Sequence, residues 1–202
     1  KTLPEVEERS IELKIGNDLI NDVIGPRRAG KTYLLYFYMK KLLEKDERKA
    51  IIYINFESRK LFPLDAEYFN DLIGIIYEEG LLHKFKRIYI FLDEVQKVKD
   101  WEKYVRSIYD EFKGKIKIFV SGSTSKLTKS KLSYLLTGRH LTTYVFPLSF
   151  AEFLKFKKND YGKIITEEKK AKIEKLLKEY LTLGSFPEIV LSADEELIET
   201  LF

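Results

Sequence analysis

Cysteine is absent from this chain of 202 residues, which excludes a disulfide framework and any thiolate metal site. Histidine is nearly absent. His83 and His140 are the two, too few for a histidine-built zinc centre, and both read as ordinary surface or boundary residues. No apolar run approaches the roughly 18 residues that a membrane-crossing helix needs, and no basic stretch followed by an apolar core marks a signal peptide. These absences lead us to expect a cytoplasmic protein with no membrane partner. The chain opens at Lys1 without a methionine, which leaves room for a segment ahead of it. Little methionine beside abundant lysine and glutamate suits a thermophile. Neither sign of charge is in large excess: 36 basic against 32 acidic residues leave +4. That balance permits nucleic acid as a partner without requiring it. No internal repeat or low-complexity tract is present.

What is present is enough apolar material for a core. Hydrophobic residues make up 45% and charged residues 34%, a globular composition. The most informative stretch is Gly25-Pro-Arg-Arg-Ala-Gly-Lys-Thr32, which carries the spacing G-x-x-x-x-G-K-[ST]. Apolar residues Leu19, Ile20, Val23 and Ile24 precede it as a strand, and an apolar-rich helix follows over 31–44. In that context the loop reads as a phosphate cradle. Glycine lets the backbone wrap a polyphosphate so closely that its N–H groups point inward. Lys31 supplies a point charge for the β- and γ-phosphate oxygens, and the Thr32 hydroxyl can ligate the Mg²⁺ that bridges them. The helix aims its positive end at the same anion. Gly25, Pro26, Arg27, Arg28, Ala29, Gly30, Lys31, Thr32 and Tyr33 are therefore the candidate nucleotide-binding residues.

Residues 1–18 are polar, with Ile11 to Lys14 alternating as an edge strand would. The continuous apolar run 50–56 predicts a strand buried on both faces. Phe69, Leu72, Ile73, Ile76 and Tyr77 predict a helix over 65–79 that stops at Gly80. The run 87–94 delivers Asp93 and Glu94 at a strand's carboxyl end. In an open parallel sheet that end lies beside the phosphate loop. There Asp93 can hold Mg²⁺ through its water shell, and Glu94 can orient and polarise the attacking water. Trp101, Tyr104, Val105, Ile108, Tyr109 and Phe112 recur at helical spacing, an aromatic stripe that a core-facing helix explains better than base stacking does.

The strand 116–120 ends in hydroxyls from Ser121 to Ser125, placed to sense the γ-phosphate or attacking water, with Ser125 also readable as a helix N-cap. Lys126 to Lys131 is basic and hydroxyl-rich; a solvated face and a nucleic-acid backbone contact both account for it. Arg139 precedes a strand over 141–146. It reads equally as an arginine finger in an oligomer, an internal phosphate sensor or a surface arginine. Pro147 and Ser149 break the chain and cap a helix over 150–156, and 157–162 is the best linker. A long amphipathic helix carrying Ala171, Ile173, Leu176, Leu177, Tyr180 and Leu181 stops near Gly184. Residues 188–202 look helical, and the ending at Leu201-Phe202 leads us to expect further chain.

Strands alternating with helices predict an α/β fold with a parallel sheet, residues 1–148 as the core domain and 149–202 as a helical appendage.

Taken together, GPRRAGKT at 25–32, IFLDEVQKVKDWEKYVRSIYD at 90–110, VSGS at 120–123, TGRHLTTYVFPLSFAEFL at 137–154 and YLTLGSFP at 180–187 resemble the archaeal and bacterial AAA+ ATPases of the STAND-like group. The resemblance spans about residues 9 to 190. It implies a three-layer P-loop NTPase fold with strand order 5-1-4-3-2 and a helical lid. It also implies that Gly25 to Thr32 is the Walker A loop, Asp93 and Glu94 the Walker B pair, and Ser121 and Ser123 the sensor-1 strand end. Gly138 and Arg139 precede the family's Pro-Leu-Ser-Phe segment, here 147–150. Gly184 to Pro187 resembles the lid element that packs near adenine in related ATPases, with Ser185 standing where a second glycine is more usual; Pro187 is accordingly a candidate nucleotide contact. Many members carry a further C-terminal domain, where partner choice would reside.

The reading that follows is a Mg²⁺-dependent ATPase converting ATP to ADP and phosphate, with Lys31, Glu94, Ser121 and Arg139 as catalytic candidates and Thr32 and Asp93 as metal ligands. The Asn-Lys-x-Asp string that reads guanine is missing, and the resemblance points to adenine. A nucleotide-dependent switch or scaffold with little hydrolysis is the alternative. A nucleic-acid-associated motor or defence module resting on Lys126, Lys129 and Lys131 is a third. An unidentified protein partner and a homo-oligomer complete the expectations.

Overall fold

The computed structural model describes residues 3–44, 49–123, 136–159 and 166–192. Its centre is a five-stranded sheet in the order β2-β3-β4-β1-β5, parallel throughout. The strands are β1 (Ile20–Gly25), β2 (Lys49–Asn55), β3 (Arg87–Asp93), β4 (Ile116–Ser123) and β5 (His140–Tyr144). Read from the other edge this is the expected 5-1-4-3-2. Parallel neighbours need crossovers, and helices supply them: α1 (Lys31–Leu43), α2 (Glu67–Glu78), the single turn α3 (Leu81–Lys84) and α4 (Trp101–Glu111).

The period-2 alternation of each strand divides the core into two layers. Ile88, Ile90 and Leu92 of β3, with Ile116, Ile118 and Val120 of β4, face α2 and α4. Phe91 of β3 and Phe119 of β4 face α1, stacked with ring centroids 4.5 Å apart. The α4 stripe lies where its spacing put it, with Trp101, Val105, Ile108 and Tyr109 buried, and α1 buries Leu34, Leu35, Tyr38, Met39 and Leu42. Each such side chain contributes about 1.5–3 kcal/mol of burial energy.

Two expectations change. The run 50–56 was expected to be buried on both faces, yet every residue of β2 is only partly buried. Its inward residues do alternate between the layers, Ile52 and Ile54 to one and Ile51 and Tyr53 to the other. However, β2 lies at the sheet's edge with β3 as its neighbour, so the apolar run reflects two covered faces and not a central position. The expected edge strand at Ile11 to Lys14 is absent: residues 3–19 form no strand. They run instead over the α1 layer, where Leu13 is buried and its N–H donates to the Tyr38 hydroxyl at 2.8 Å.

Beyond β5, Ser149 caps α5 (Phe150–Phe156) in a reciprocal capping box with Glu152, as the Ser-x-x-Glu spacing requires. Then come α6 (Glu167–Leu183) and α7 (Pro187–Leu191), with Pro187 at the first helical turn. Leu148, Phe153, Phe156, Leu176 and Val190 form a third apolar cluster. The stripe on α6 is only partly used: Leu176 is buried, whereas Leu177 and Leu181 are exposed.

At the end of β1 the Val145 N–H donates to the Ile24 carbonyl at 2.7 Å. A Cβ added to Gly25 would stand 2.0 Å from the Val145 oxygen, a clash with backbone on the neighbouring strand that no rotamer relieves. Gly25→Ala is therefore expected to destabilise the fold by about 2–3 kcal/mol, measured as a lowered denaturant midpoint at an unchanged m-value.

Candidate functional site

Because all five strands run the same way, their carboxyl ends share one edge. At that edge the register sets Ile24 opposite Gly122 and Gly25 opposite Ser123, and Leu92 opposite Val120, so that Asp93 falls level with Ser121. The loop after β1 and the acidic end of β3 are thereby brought together, although far apart in sequence.

The 25–32 loop turns through two left-handed residues, Arg28 at φ 64° and Gly30 at φ 91°. Successive turns of this kind aim backbone N–H groups into a common concavity that suits an anion. The two glycines have different causes. A Cβ at Gly30 would meet only ordinary contacts, Pro187 at 3.5 Å and Arg9 at 3.7 Å, so it is the φ of +91° that favours glycine there. At Gly25 it is the Val145 backbone just past β5. Lys31 is buried, donating to the Pro26 carbonyl at 2.9 Å, with Glu94 at 3.7 Å.

Asp93 is fully buried. Its Oδ2 accepts from the Thr32 hydroxyl at 2.8 Å and the Tyr53 hydroxyl at 3.0 Å, and its Oδ1 accepts from the Ser121 hydroxyl. Ser121 in turn accepts the Glu94 backbone N–H at 3.1 Å. Ser121 thus faces the acidic pair and has no exposed surface; it is not free to meet a phosphate directly. Glu94 is left-handed at φ 54°, a conformation costing about 1–3 kcal/mol in a residue with a Cβ. Its carboxylate receives the Gln96 side-chain amide as well as facing Lys31. Burial, followed by the adjacent Asp93 charge, pushes the Tyr53 phenol up from its ordinary value, so it donates its proton at neutral pH.

Thr32 and Asp93 place two hard oxygen donors side by side. That is a partial set of the kind Mg²⁺ takes when phosphates and waters supply the rest, so the residues present fit the ion.

The loop lines a cleft of about 1260 Å³ together with Val6 and Arg9 of the leading segment, Pro187 and Leu191 of α7, and Tyr33 and Phe37 of α1. It is roomy against the roughly 300–1,000 Å³ usual for small-molecule sites. Sequence patterns had not pointed to Arg9, which lies in a polar segment without periodicity. Yet its side chain ties several parts of the region together. It donates to Ala29 O at 3.0 Å inside the loop, to Phe146 O at 3.0 Å, and to both oxygens of Glu152 at 2.8 and 3.1 Å. Glu152 also accepts the Ser10 and Ser149 N–H groups.

The structure does not bring Arg139 to this cleft. Its carbonyl accepts the Ile20 N–H at the opposite end of β1, about 16 Å of strand from Gly25, and its side chain pairs with Asp110 at 3.0 Å. An internal sensor role fails on that distance. His140 is a boundary residue, as expected, with its Nδ1 2.9 Å from buried Asp22. Ser125, Lys126, Lys129 and Lys131 lie outside the described residues. Among the described residues no helix is long and apolar enough to cross a membrane.

Comparison with known proteins places this geometry. The model of the AAA domain family matches residues 17–154. An uncharacterized protein of Methanocaldococcus jannaschii is 37% identical over 193 residues, covering 96% of this chain and 41% of the relative. An uncharacterized protein of Haemophilus influenzae is 35% identical over 186 residues, covering 91% and 43%. The chain thus spans about two-fifths of the length of these relatives. Among solved structures, that of C. elegans PCH-2 superposes with a TM-score of 0.52 at 20% identity, over 71% of this chain and 40% of that one; the likeness is one of fold.

Burial alone would raise the Glu152 carboxyl, but the Arg9 guanidinium and the Ser149 and Ser10 N–H groups outweigh it and hold it down to about 2, from 4.5. A carboxyl depressed in the folded state contributes stability above its unfolded value and loses it as pH falls toward the folded one. Unfolding free energy should therefore drop by roughly 3 kcal/mol between pH 4.5 and 2 from this group. Acid titration of Glu152→Gln should show that part of the slope removed; an unchanged slope would contradict the assignment.

Proposed function

The chain belongs to the AAA domain family, and from that premise we propose that it binds ATP in the cleft and hydrolyses it to ADP and phosphate, coupling nucleotide state to movement of the helical segment 149–202. The observation that carries this reading is the 2.8 Å bond from Thr32 to Asp93, with Glu94 next in sequence and Lys31 within 3.7 Å of it. Loop, metal donors and a candidate base meet within one site.

In this reading the loop amides and Lys31 hold the phosphates. Lys31 exchanges the Pro26 carbonyl for phosphate oxygens, an exchange favoured because a charged acceptor binds an ammonium more strongly than a neutral one. Thr32 and Asp93 would hold Mg²⁺, whose positive charge would offset charge on the phosphates. Glu94, released from Lys31, accepts a proton from the attacking water. Ser121 fixes Glu94 through its backbone N–H. Pro187 and Val6 flank the base, and the Arg9–Glu152 pair ties the loop to the start of the helical segment. For Arg139, a role across an oligomer interface is the one left to propose.

A specific observation favours the switch alternative: in this state Glu94 is engaged by both Lys31 and Gln96, an arrangement unfit to activate water until nucleotide rearranges it.

Glu94→Gln is expected to keep ATP affinity within about threefold while lowering phosphate release by at least about 100-fold, the usual contribution of a general base. Lys31→Ala is expected to lose nucleotide affinity by tenfold or more, about 1.4 kcal/mol or above. Unchanged turnover in Glu94→Gln overturns the catalytic assignment, and wild-type turnover near zero with tight ADP retention selects the switch.

A further inference from the structure

Asp93 is satisfied by hydroxyls from three different elements: Thr32 on α1, Ser121 on β4 and Tyr53 on β2. The third was not anticipated from sequence, where Tyr53 is one more apolar-run residue. In register Tyr53 stands opposite Phe91, and Asn55 opposite Asp93. The long phenol reaches two positions along the sheet to share Oδ2 with Thr32. Its own oxygen lies 3.2 Å from the hydroxyl of Tyr36, with the two rings edge-on at 5.3 Å. Tyr36 is one helical turn beyond Thr32, on the same face of α1. A closed circuit results, Thr32 to Asp93 to Tyr53 to Tyr36 and back along one turn of helix, with the buried carboxylate as its only charged member. Tyr33, which lines the cleft, touches the circuit through its ring contact with Tyr36 at 5.9 Å.

A lone carboxylate in this position can rotate about its χ2 and present either oxygen. With Ser121 on one oxygen and two donors on the other, it cannot rotate without breaking charge-assisted bonds. Donors behind a metal-ligating carboxylate set its orientation and donor strength, and their loss commonly costs 10–100-fold in metal affinity.

We propose that Tyr53, backed by Tyr36, is a positioning residue for the divalent-cation site: its hydroxyl fixes the Asp93 carboxylate in the orientation that receives Mg²⁺ with the nucleotide. This rests on the reading of the cleft as a Mg²⁺-nucleotide site. Tyr53 touches neither phosphate nor water in this role; it acts through Asp93. Its phenyl ring packs in the α1 layer, so Tyr53→Phe removes the hydroxyl and keeps the packing.

The test is equilibrium binding of a fluorescent ATP analogue, titrated with Mg²⁺ and repeated in EDTA, for wild type, Tyr53→Phe and Tyr36→Phe, with thermal unfolding midpoints taken on the same preparations. In Tyr53→Phe the half-saturating Mg²⁺ concentration is expected to rise by about tenfold or more, with affinity in EDTA unchanged within about twofold. Tyr36→Phe is expected to shift the Mg²⁺ requirement in the same direction by a smaller factor. A merely structural hydroxyl would lower the unfolding midpoint and leave the Mg²⁺ titration where it was. An unaltered Mg²⁺ dependence in Tyr53→Phe, with wild type responding to Mg²⁺, overturns this inference and leaves the nucleotide site standing. A wild type whose analogue binding is indifferent to Mg²⁺ overturns both.

Discussion

The constraint on which the rest of the site depends is the burial of the Asp93 charge. A carboxylate without exposed surface is tolerable only when it is well supplied with donors, and here hydroxyls from α1, β2 and β4 engage both oxygens, two on Oδ2 and one on Oδ1. No one of those elements can shift along the sheet without stripping a donor from a buried charge. The requirement therefore fixes the depth of α1 over the sheet and hence where the phosphate loop ends. It also fixes the level of β2, although β2 is an edge strand with one strand neighbour.

A second knot does the same for the outer parts of the cleft. Arg9 and Glu152, 143 positions apart, form a pair whose side chains are 7% and 5% exposed. Removing one partner would leave the other buried and uncompensated, so the pair acts as a fixed joint. Because Arg9 also binds Ala29 O and Phe146 O, the joint holds together the leading segment, the phosphate loop and the turn into α5. By contrast, Arg28 and Glu188, at 3.5 Å and about half exposed, make the kind of link that water screens and little holds.

Most of the sheet was legible in the sequence because its signals are local. A glycine-lysine-threonine loop after an apolar strand, and an apolar run ending in two acids, announce themselves within ten residues, and the parallel register then makes them meet. The strand order was legible through the family resemblance. What sequence could not supply were partners chosen by tertiary contact. Tyr53 looks like any β-favouring aromatic until its hydroxyl is seen on Asp93. Arg9 lies in a stretch with no periodicity, and its partner Glu152 carries no signal beyond its place in the first turn of α5, where it completes a capping box. Arg139 fell away for a topological reason: in a parallel sheet a residue just before a strand lies at the amino edge, opposite the carboxyl edge that carries the site. Gly25 carries a constraint that the loop pattern does not reveal, the Val145 backbone just past β5 that a Cβ would meet.

The central claim is that the 25–32 loop, Lys31 and the acidic pair rearrange around a nucleotide. A crystal structure with a non-hydrolysable ATP analogue and Mg²⁺ tests it most directly. The account predicts phosphates seated in the loop, Lys31 turned from the Pro26 carbonyl onto them, and Glu94 freed from Lys31 to face the γ-phosphate. Phosphates bound elsewhere, or seated in the loop with the Lys31 to Pro26 bond intact, would contradict it.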